Sequence, residues 1–260
     1  MTAREFFERA AELERARTPF ALATVVKRDG PISSHLGDRA IVLADGRMHG
    51  FVGGSCSRDI VREEGLNALR SGEARVVQIQ GECASEGAVD VYVEPHLPSR
   101  MLVIAGATPV AGALARLASA LDGFRVVRVV EPAEMHELAE AEAEHAVALD
   151  AFGDFLAGVE PVDRARLLTV VASQGHYDED VLEALFKGSE PAYAGLLASR
   201  KRAAEVLDEV RQRGVEAERL ARVHNPAGLD LGARLPSGVA VSILAEIVAT
   251  LAAAKPEAGK

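Results

Sequence analysis

Met101 to Glu131 reads MLVIAGATPVAGALARLASALDGFRVVRVVE. Met101 to Ala105 is an apolar run of strand length, as expected for a strand buried on both faces. Gly106-Ala107-Thr108-Pro109 then turns the chain into Val110 to Leu121, whose apolar residues recur at helical spacing. A second apolar strand, Arg125 to Val130, ends at Glu131. Strand, glycine turn, helix, strand and an acidic residue about 25 positions after the first glycine form the layout of a dinucleotide-binding β-α-β unit. The detail departs from that fingerprint. In the frame G-x-G-x-x-G opened by Gly106, Thr108 replaces the second glycine and Ala111 the third. Thr108 suits an N-cap and Pro109 the first helical position. Pro109, however, removes an amide, and Thr108 adds bulk where a pyrophosphate would approach. A Rossmann-like fold is expected; NAD(P) is not.

Downstream, Leu167 to Ala172 is another buried strand, ending in Ser173-Gln174-Gly175-His176, and Asp178-Glu179-Asp180 supplies an acidic helix start. Ligands of open parallel sheets sit at the carboxyl ends of strands, which makes Gln174, Gly175 and His176 candidates. A loop histidine bonded to its neighbours is the alternative. Tyr193 to Ala198 follows as a strand, and Ser199-Arg200-Lys201-Arg202 opens a helix reaching Arg213. Three cations in a first turn oppose the helix dipole. A bound anion such as a phosphate would explain them, as would a solvated face paired with Glu205 and Asp208. After the turn-rich loop His224 to Gly232, an apolar helix, Val239 to Ala253, carries Glu246 among Ile243, Leu244 and Ile247. That carboxylate needs a buried partner or a place at a domain or subunit face. Lys255 to Lys260 reads as a frayed tail.

Upstream the pattern differs. Glu94-Pro95-His96-Leu97-Pro98-Ser99 reads as a linker, dividing an α+β domain, 1–98, from a Rossmann-like domain, 99–260, with a mostly parallel sheet. The first domain starts with an amphipathic helix, Arg4 to Arg17, and continues with strands Phe20–Val26 and Ala40–Ala44. Asp45-Gly46 signals a hairpin into a third strand. A helix, Ser57 to Leu69, and strands Arg75–Ile79 and Ala88–Val93, with Gly81-Glu82-Cys83 between them, complete it. The stretch His49 to Ile60, HGFVGGSCSRDI, reads as strand, glycine turn, helix. Cys56 then falls in or beside a first helical turn, where backbone amides and the helix dipole favour thiolate. Such a thiolate beside Gly53 and Gly54 can be a nucleophile, a sulfur carrier or a metal ligand. The plainer alternative is a tight turn followed by a small buried residue.

Composition narrows the classes. The 260 residues carry a net charge of -10, which argues against a general nucleic-acid or anionic-membrane binder. Apolar residues make up 48% of the chain and aromatics 4%, with no tryptophan, so the core must be mainly Ala, Val and Leu. No membrane span is expected, and the charged amino-terminal residues lack the apolar centre of a signal peptide. Two cysteines, Cys56 and Cys83, are too few for a disulfide scaffold and wrongly spaced for zinc, and a reducing cytoplasm is expected. A Cys56–Cys83 redox pair stands as a lesser alternative, since cytoplasmic disulfides are uncommon.

Four separated signatures carry a resemblance. They are Gly53-Gly54-Ser55-Cys56, Ser173-Gln174-Gly175-His176-Tyr177-Asp178, Ala198-Ser199-Arg200-Lys201-Arg202 and Pro226-Ala227-Gly228-Leu229-Asp230-Leu231-Gly232, closed by Val241 to Ile247. In this order they resemble the XdhC/CoxI family, maturation factors for molybdenum hydroxylases such as xanthine dehydrogenase and aerobic carbon monoxide dehydrogenase. Gly106 to Ala111 looks closer to the CoxI side. Two departures stand out: Ala198 where many members have glycine, and Ser237-Gly238 where an acidic pair is common.

The resemblance implies a cytoplasmic accessory protein, not a turnover enzyme, that binds the molybdenum cofactor as molybdopterin or its dinucleotide form. It implies support for cofactor sulfuration or insertion, with the hydroxylase apoenzyme as partner, a cysteine desulfurase as a further candidate partner, and self-association. Cys56 matches the cysteine after the glycine pair and becomes the candidate contact to molybdenum or its sulfur. Gly53, Gly54, Ser55, Gly106, Thr108, Gln174, Gly175, His176, Ser199 and Arg200 complete the candidate cofactor site. Dithiolene sulfur is soft, and a thiolate is a suitable soft neighbour. The alternatives are an NAD(P)-dependent oxidoreductase and an interaction module that recruits the hydroxylase.

Overall fold

Burial alternates along residues 88–93 and is complete along 101–105 and 168–171, the patterns of two different sheets. The computed structural model describes residues 2–80, 87–138, 145–164 and 166–253. One unit reaches to Pro98 and a second starts at Ser99. The expected turn at Gly81-Glu82-Cys83 and the expected tail at Lys255–Lys260 lie outside the described residues.

The first unit opens with α1 (Ala3–Arg15), fixed by a capping box: the Thr2 hydroxyl accepts the Glu5 amide and the Glu5 carboxylate accepts the Thr2 amide. Phe6 and Leu13 form its buried stripe. There follow β1 (Phe20–Asp29), β2 (Arg39–Leu43), β3 (Met48–Gly50), α2 (Ser55–Ser71), β4 (Arg75–Gln80) and β5 (Ala88–His96). The sheet order is β3-β2-β1-β5-β4, with every pairing antiparallel. Ala21, Ala23, Val25, Val89, Val91 and Val93 turn one face inward beneath Val61 and Ala68 of α2, the period-2 pattern of a half-covered sheet. Glu94-Pro95-His96, expected in a linker, is strand instead. β4 pairs with β5 only as far as Val93, so beyond it β5 is an edge on one side, the setting in which a sheet tolerates proline.

The second unit contains β6 (Arg100–Ala105), α3 (Pro109–Ser119), β7 (Phe124–Val130), a 3-10 turn Pro132–Glu137, β8 (His145–Ala148), α4 (Phe152–Gly158), α5 (Pro161–Arg164) and β9 (Leu168–Val171). It continues with α6 (Asp178–Gly188), β10 (Tyr193–Leu196), α7 (Arg200–Gln212), α8 (Ala217–Leu220), β11 (Val223–His224) and α9 (Pro236–Ala253). The sheet runs β11-β10-β9-β6-β7-β8, all parallel. One face, with Val103, Val127 and Val171, is covered by Leu156, Leu182, Leu185 and Val206 from α4, α6 and α7. The other, with Leu102, Ile104, Leu168 and Val170, is covered by Leu114, Ala118, Ile243 and Ile247 from α3 and α9. Covering on both faces explains the uninterrupted apolar strands. The architecture is thus an α+β unit followed by a Rossmann-type unit, and Ala, Val and Leu dominate both cores.

α9 is long and apolar enough to cross a membrane by length and composition. Ala240, Ile243, Leu244 and Ile247 nevertheless bury themselves in the core beside α3, so the apolarity of this face is accounted for by the second unit itself.

Candidate functional site

In the first unit, Val52 to Gly54 links β3 to α2. Gly53 has φ +136°, and a Cβ there would come within 2.8 Å of Ser34 Oγ and 2.9 Å of Ser57 Cβ. Ser34 is fully buried and donates to the Val52 carbonyl at 2.9 Å. Glycine at this position is therefore required by the protein's own packing. Gly54 is the N-cap of α2 and provides no side-chain cap, and the first turn holds no acidic residue. A Cβ on Gly54 would meet nothing within 4 Å, so the approach to the helix start is open. Ser55 is exposed and Cys56 half-buried, both in that first turn. Cys56 is disulfide-bonded in this structure; Cys83, the chain's other cysteine, lies outside the described residues.

In the second unit, the order of strands along the sheet reverses between β6 and β9. A crevice at the carboxyl ends of the strands belongs at such a reversal. Gly106, at the end of β6, has φ +123°, and a Cβ there would sit 2.4 Å from the Ala172 carbonyl oxygen. The Thr108 hydroxyl caps α3 by accepting the Ala111 amide at 3.2 Å and donates to the same Ala172 carbonyl at 2.9 Å. The two ends of the reversal are thereby tied. Arg128 on β7 is 1% exposed and donates from Nη2 to the Gly106 carbonyl. A cleft of ≈ 500 Å³ opens here, with Arg116 and Arg128 among its walls.

The loop after β9 is held from below. Buried Ser173 donates to the Asp178 carboxylate. Gln174 adopts φ +59°, a left-handed conformation uncommon for a residue with a side chain, and Gly175 follows at φ +87°. Gln174 and His176 are exposed. Tyr177 is buried and donates to Glu134 at 2.9 Å. Burial first, and the Glu134 contact second, push the Tyr177 phenol well above the ordinary tyrosine range.

At α7, the Ser199 hydroxyl accepts the Arg202 amide as N-cap, and Arg202 donates to Glu179 at 2.6 Å. The Arg202 guanidinium lies 3.6 Å from where a Gly175 Cβ would be. The loop after β9 and the basic start of α7 are therefore brought together. Asp208, weighed as a partner for the helix-start cations, instead takes Arg211 and Gln212. Arg200 and Lys201 remain exposed at the helix start.

Glu246 finds its buried partners. Its Oε2 accepts the Tyr193 hydroxyl at 2.5 Å and the Gly228 amide at 2.9 Å, and His224 Nδ1 lies 3.3 Å from Oε1. Burial and Glu246 push the Tyr193 phenol upward. This contact pins the loop containing Pro226 to Gly232 onto α9.

Sequence reasoning named Gly106, Thr108, Gln174, Gly175 and His176 as candidates for one site but missed Arg128, which sits within a strand. It also missed the start of α9, where Leu235, Pro236 and Ser237 line the crevice. Among the described residues no group of three or more His, Cys, Asp or Glu side chains could hold a metal ion. Gly53 to Cys56 belong to the first unit and the remaining candidates to the second.

Residues 102–247 match the family described as XdhC Rossmann domain, and residues 13–80 match the XdhC and CoxI family. A protein of Escherichia coli K12 described as uncharacterized protein YqeB is 31% identical over 253 residues, covering 93% of this chain and 45% of that one. The chain thus spans less than half the length of that relative. A crystal structure described as a xanthine dehydrogenase from Bacillus halodurans aligns over 100% of this chain and 98% of its own, at 18% identity and a TM-score of 0.47. The family matches reach into both units and take in every residue of the crevice, and this chain belongs to the XdhC and CoxI family.

Proposed function

We propose that this chain is a maturation factor for a molybdenum hydroxylase of the xanthine dehydrogenase or carbon monoxide dehydrogenase type. In this reading it holds the molybdenum cofactor, as molybdopterin or its dinucleotide form, and supports its sulfuration or insertion into the apoenzyme. The observation that carries the reading is Cys56 in the first turn of α2, behind an N-cap that offers no side chain. Uncapped amides and the Ser55 and Ser57 hydroxyls suit an anionic ligand. A single cysteine cannot chelate a bare ion, but it fits a metal that arrives already held by dithiolene sulfur. The bound cofactor would supply the soft metal centre and a phosphate group.

The residues of this chain would do the holding. Cys56, once reduced, offers the soft contact, with Gly53 fixing the turn and Gly54 leaving the approach open. In the second unit, Gly106, Thr108, Gln174, Gly175 and His176 border the strand reversal, and Ser199 and Arg200 lie at the basic start of α7. These are the second unit's own candidate positions for a phosphate. The apoenzyme and a cysteine desulfurase are the partners of this reading, in the cytoplasm. Self-association is part of it too, with exposed Val241 and Val248 on α9 and exposed Leu121 after α3 as the apolar face.

The test is reconstitution with molybdenum cofactor under reducing conditions, followed by gel filtration and pterin fluorescence. The wild-type protein should carry molybdopterin, and Cys56→Ala should lose most of it. No retention by the wild type would overturn the reading; full retention by the variant would remove Cys56 from the site. A second reading, an NAD(P)-dependent oxidoreductase, is favoured by the strand reversal and opposed by Thr108 and Pro109. Calorimetry with NAD and NADP showing no heat of binding would end it.

A further inference from the structure

One side of α9 is left over. Ala240, Ile243 and Ile247 are buried in the core, but Val241 and Val248 are 48% and 52% exposed, and Leu121, just after α3, is 44% exposed. Together with Leu117, Ala245 and Ala252 they line a groove of ≈ 520 Å³ whose described walls are apolar throughout. Along α9, Val241, Ala245, Val248 and Ala252 follow one another at intervals of 4, 3 and 4 residues. That spacing keeps them within about 60° of one another around the helix, and it is the spacing of a seam between two helices.

The occupant must be apolar, and charge and pattern select it. Helices that lie on a lipid surface carry Lys and Arg along their polar side. α9 has neither, and a chain of net charge -10 is repelled by an anionic bilayer. A second copy of the chain matches residue by residue. With the two α9 helices antiparallel, Val241 meets Ala252 of the second copy and Ala245 meets its Val248, so every layer of the seam pairs a large side chain with a small one. Parallel helices would set valine on valine and alanine on alanine, crowding some layers and hollowing others. The area is sufficient for a modest pair. The 18 residues of α9 give a face about 27 Å long, and two adjacent helices make it about 18 Å wide. Two copies then cover on the order of 1,000 Å², near the least that a specific interface needs.

We propose that two copies of this chain pair through α9, antiparallel about a two-fold axis that passes between Ala245 and Val248, with Leu117 and Leu121 of α3 flanking the seam. Such a contact is isologous and closes at two copies. The inference rests on the self-association in the proposed function and gives it a face and a register; it needs neither Cys56 nor a bound cofactor. Because each copy carries -10 and the seam itself carries no charge, salt screens the repulsion between copies and tightens the pair.

The experiment is sedimentation equilibrium on the full chain, reduced and free of cofactor, at low and high salt. The wild type should form a dimer that tightens as salt rises. Val248→Glu and Ala245→Lys, with folding checked by circular dichroism, should each weaken it by about a hundredfold or more, since each buries unpaired charges in the seam. Mixing the two variants should restore a dimer. In the antiparallel register the new glutamate of one chain faces the new lysine of the other, and the remaining central layer is still valine on alanine. A wild type that stays monomeric at about 100 μM would overturn both the pair and the self-association, while leaving molybdopterin retention as a separate result. A dimer unchanged in both variants would overturn the seam and keep the self-association. No recovery on mixing would overturn the antiparallel register. Wild-type binding to phosphatidylserine vesicles that Val248→Glu abolishes would assign the face to a lipid surface instead.

Discussion

The hydroxyl of Thr108 donates to the carbonyl of Ala172 at 2.9 Å, and with the Ala172 amide donating to the Ala105 carbonyl at 2.8 Å it joins the two strand ends on either side of the sheet's reversal. The same hydroxyl caps α3 through the Ala111 amide. Thr108→Val keeps the shape and removes both bonds, so it should cost about 1–2 kcal/mol. Thr108→Ser keeps both and should stay within about 0.5 kcal/mol of wild type. Urea unfolding of the two variants checks this; equal stability would mean the bond contributes nothing.

Gly106→Ala should be more damaging. The added Cβ would lie 2.4 Å from the Ala172 oxygen, in a backbone conformation at φ +123° that a side chain rarely adopts. A loss of about 3 kcal/mol is expected, in the range of strain at a special backbone position. The comparison is Gly54→Ala, where a Cβ meets nothing within 4 Å; it should be close to neutral in the same denaturation assay.

Thr169 should be improvable. It is fully buried in β9, and its hydroxyl has no hydrogen-bond partner among the described residues. Thr169→Val replaces that hydroxyl with a methyl of similar size and should stabilise by about 1 kcal/mol, since an unsatisfied buried hydroxyl carries its desolvation cost. A lower melting temperature for the variant would show that the hydroxyl is bonded in solution.

Tyr177 and Tyr193 should resist titration. Burial is the main cause in both, reinforced by Glu134 and Glu246 respectively. The folded phenols keep their protons where unfolded ones, with values near 10, begin to lose them. The stability this contributes is fully present below about pH 10 and falls as pH rises above that. Ultraviolet titration at about pH 11 should find Tyr177 and Tyr193 still protonated in the native protein. Their ionisation should coincide with alkaline unfolding seen by circular dichroism; tyrosinate absorbance from Tyr177 or Tyr193 before unfolding would contradict the burial.

Cofactor retention should depend on reductant. A disulfide-bonded Cys56 has no thiolate to offer a soft metal, so treatment with a thiol reductant should raise molybdopterin uptake. Thiol labelling followed by mass spectrometry reports the fraction reduced. Uptake that does not follow that fraction would place the contact elsewhere.

The second unit was largely legible because its signals are local. Met101 to Ala105 has no polar residue, and Gly106, Thr108 and Pro109 punctuate the chain where the strand stops and the helix starts. β5 was cut short because Pro95 reads as a breaker until β4 is known to end opposite Val93. Glu246 was legible as a carboxylate in need of a partner. That the partner is Tyr193, on a strand far back in the chain, is a tertiary fact that periodicity does not carry. Arg128 was hidden for the opposite reason: an arginine in a strand reads as a solvent-facing residue, and only the fold shows it beneath the Gly106 carbonyl. The turn before Cys56 was visible in Gly53-Gly54, but the reason for Gly53, the packing of Ser34 and Ser57 against it, needed coordinates.

The reversal between β6 and β9 also has a direction in time. Leu102 pairs with Leu168 and Ala105 with Val171, so the middle of the sheet closes only after two further strands and their helices have been made. A ribosome that has released the chain as far as β8 has delivered the glycine turn and Arg128, but neither Ala172 nor the start of α9. Pairings this distant in sequence form late compared with local ones. The crevice therefore closes only once α9 has been made.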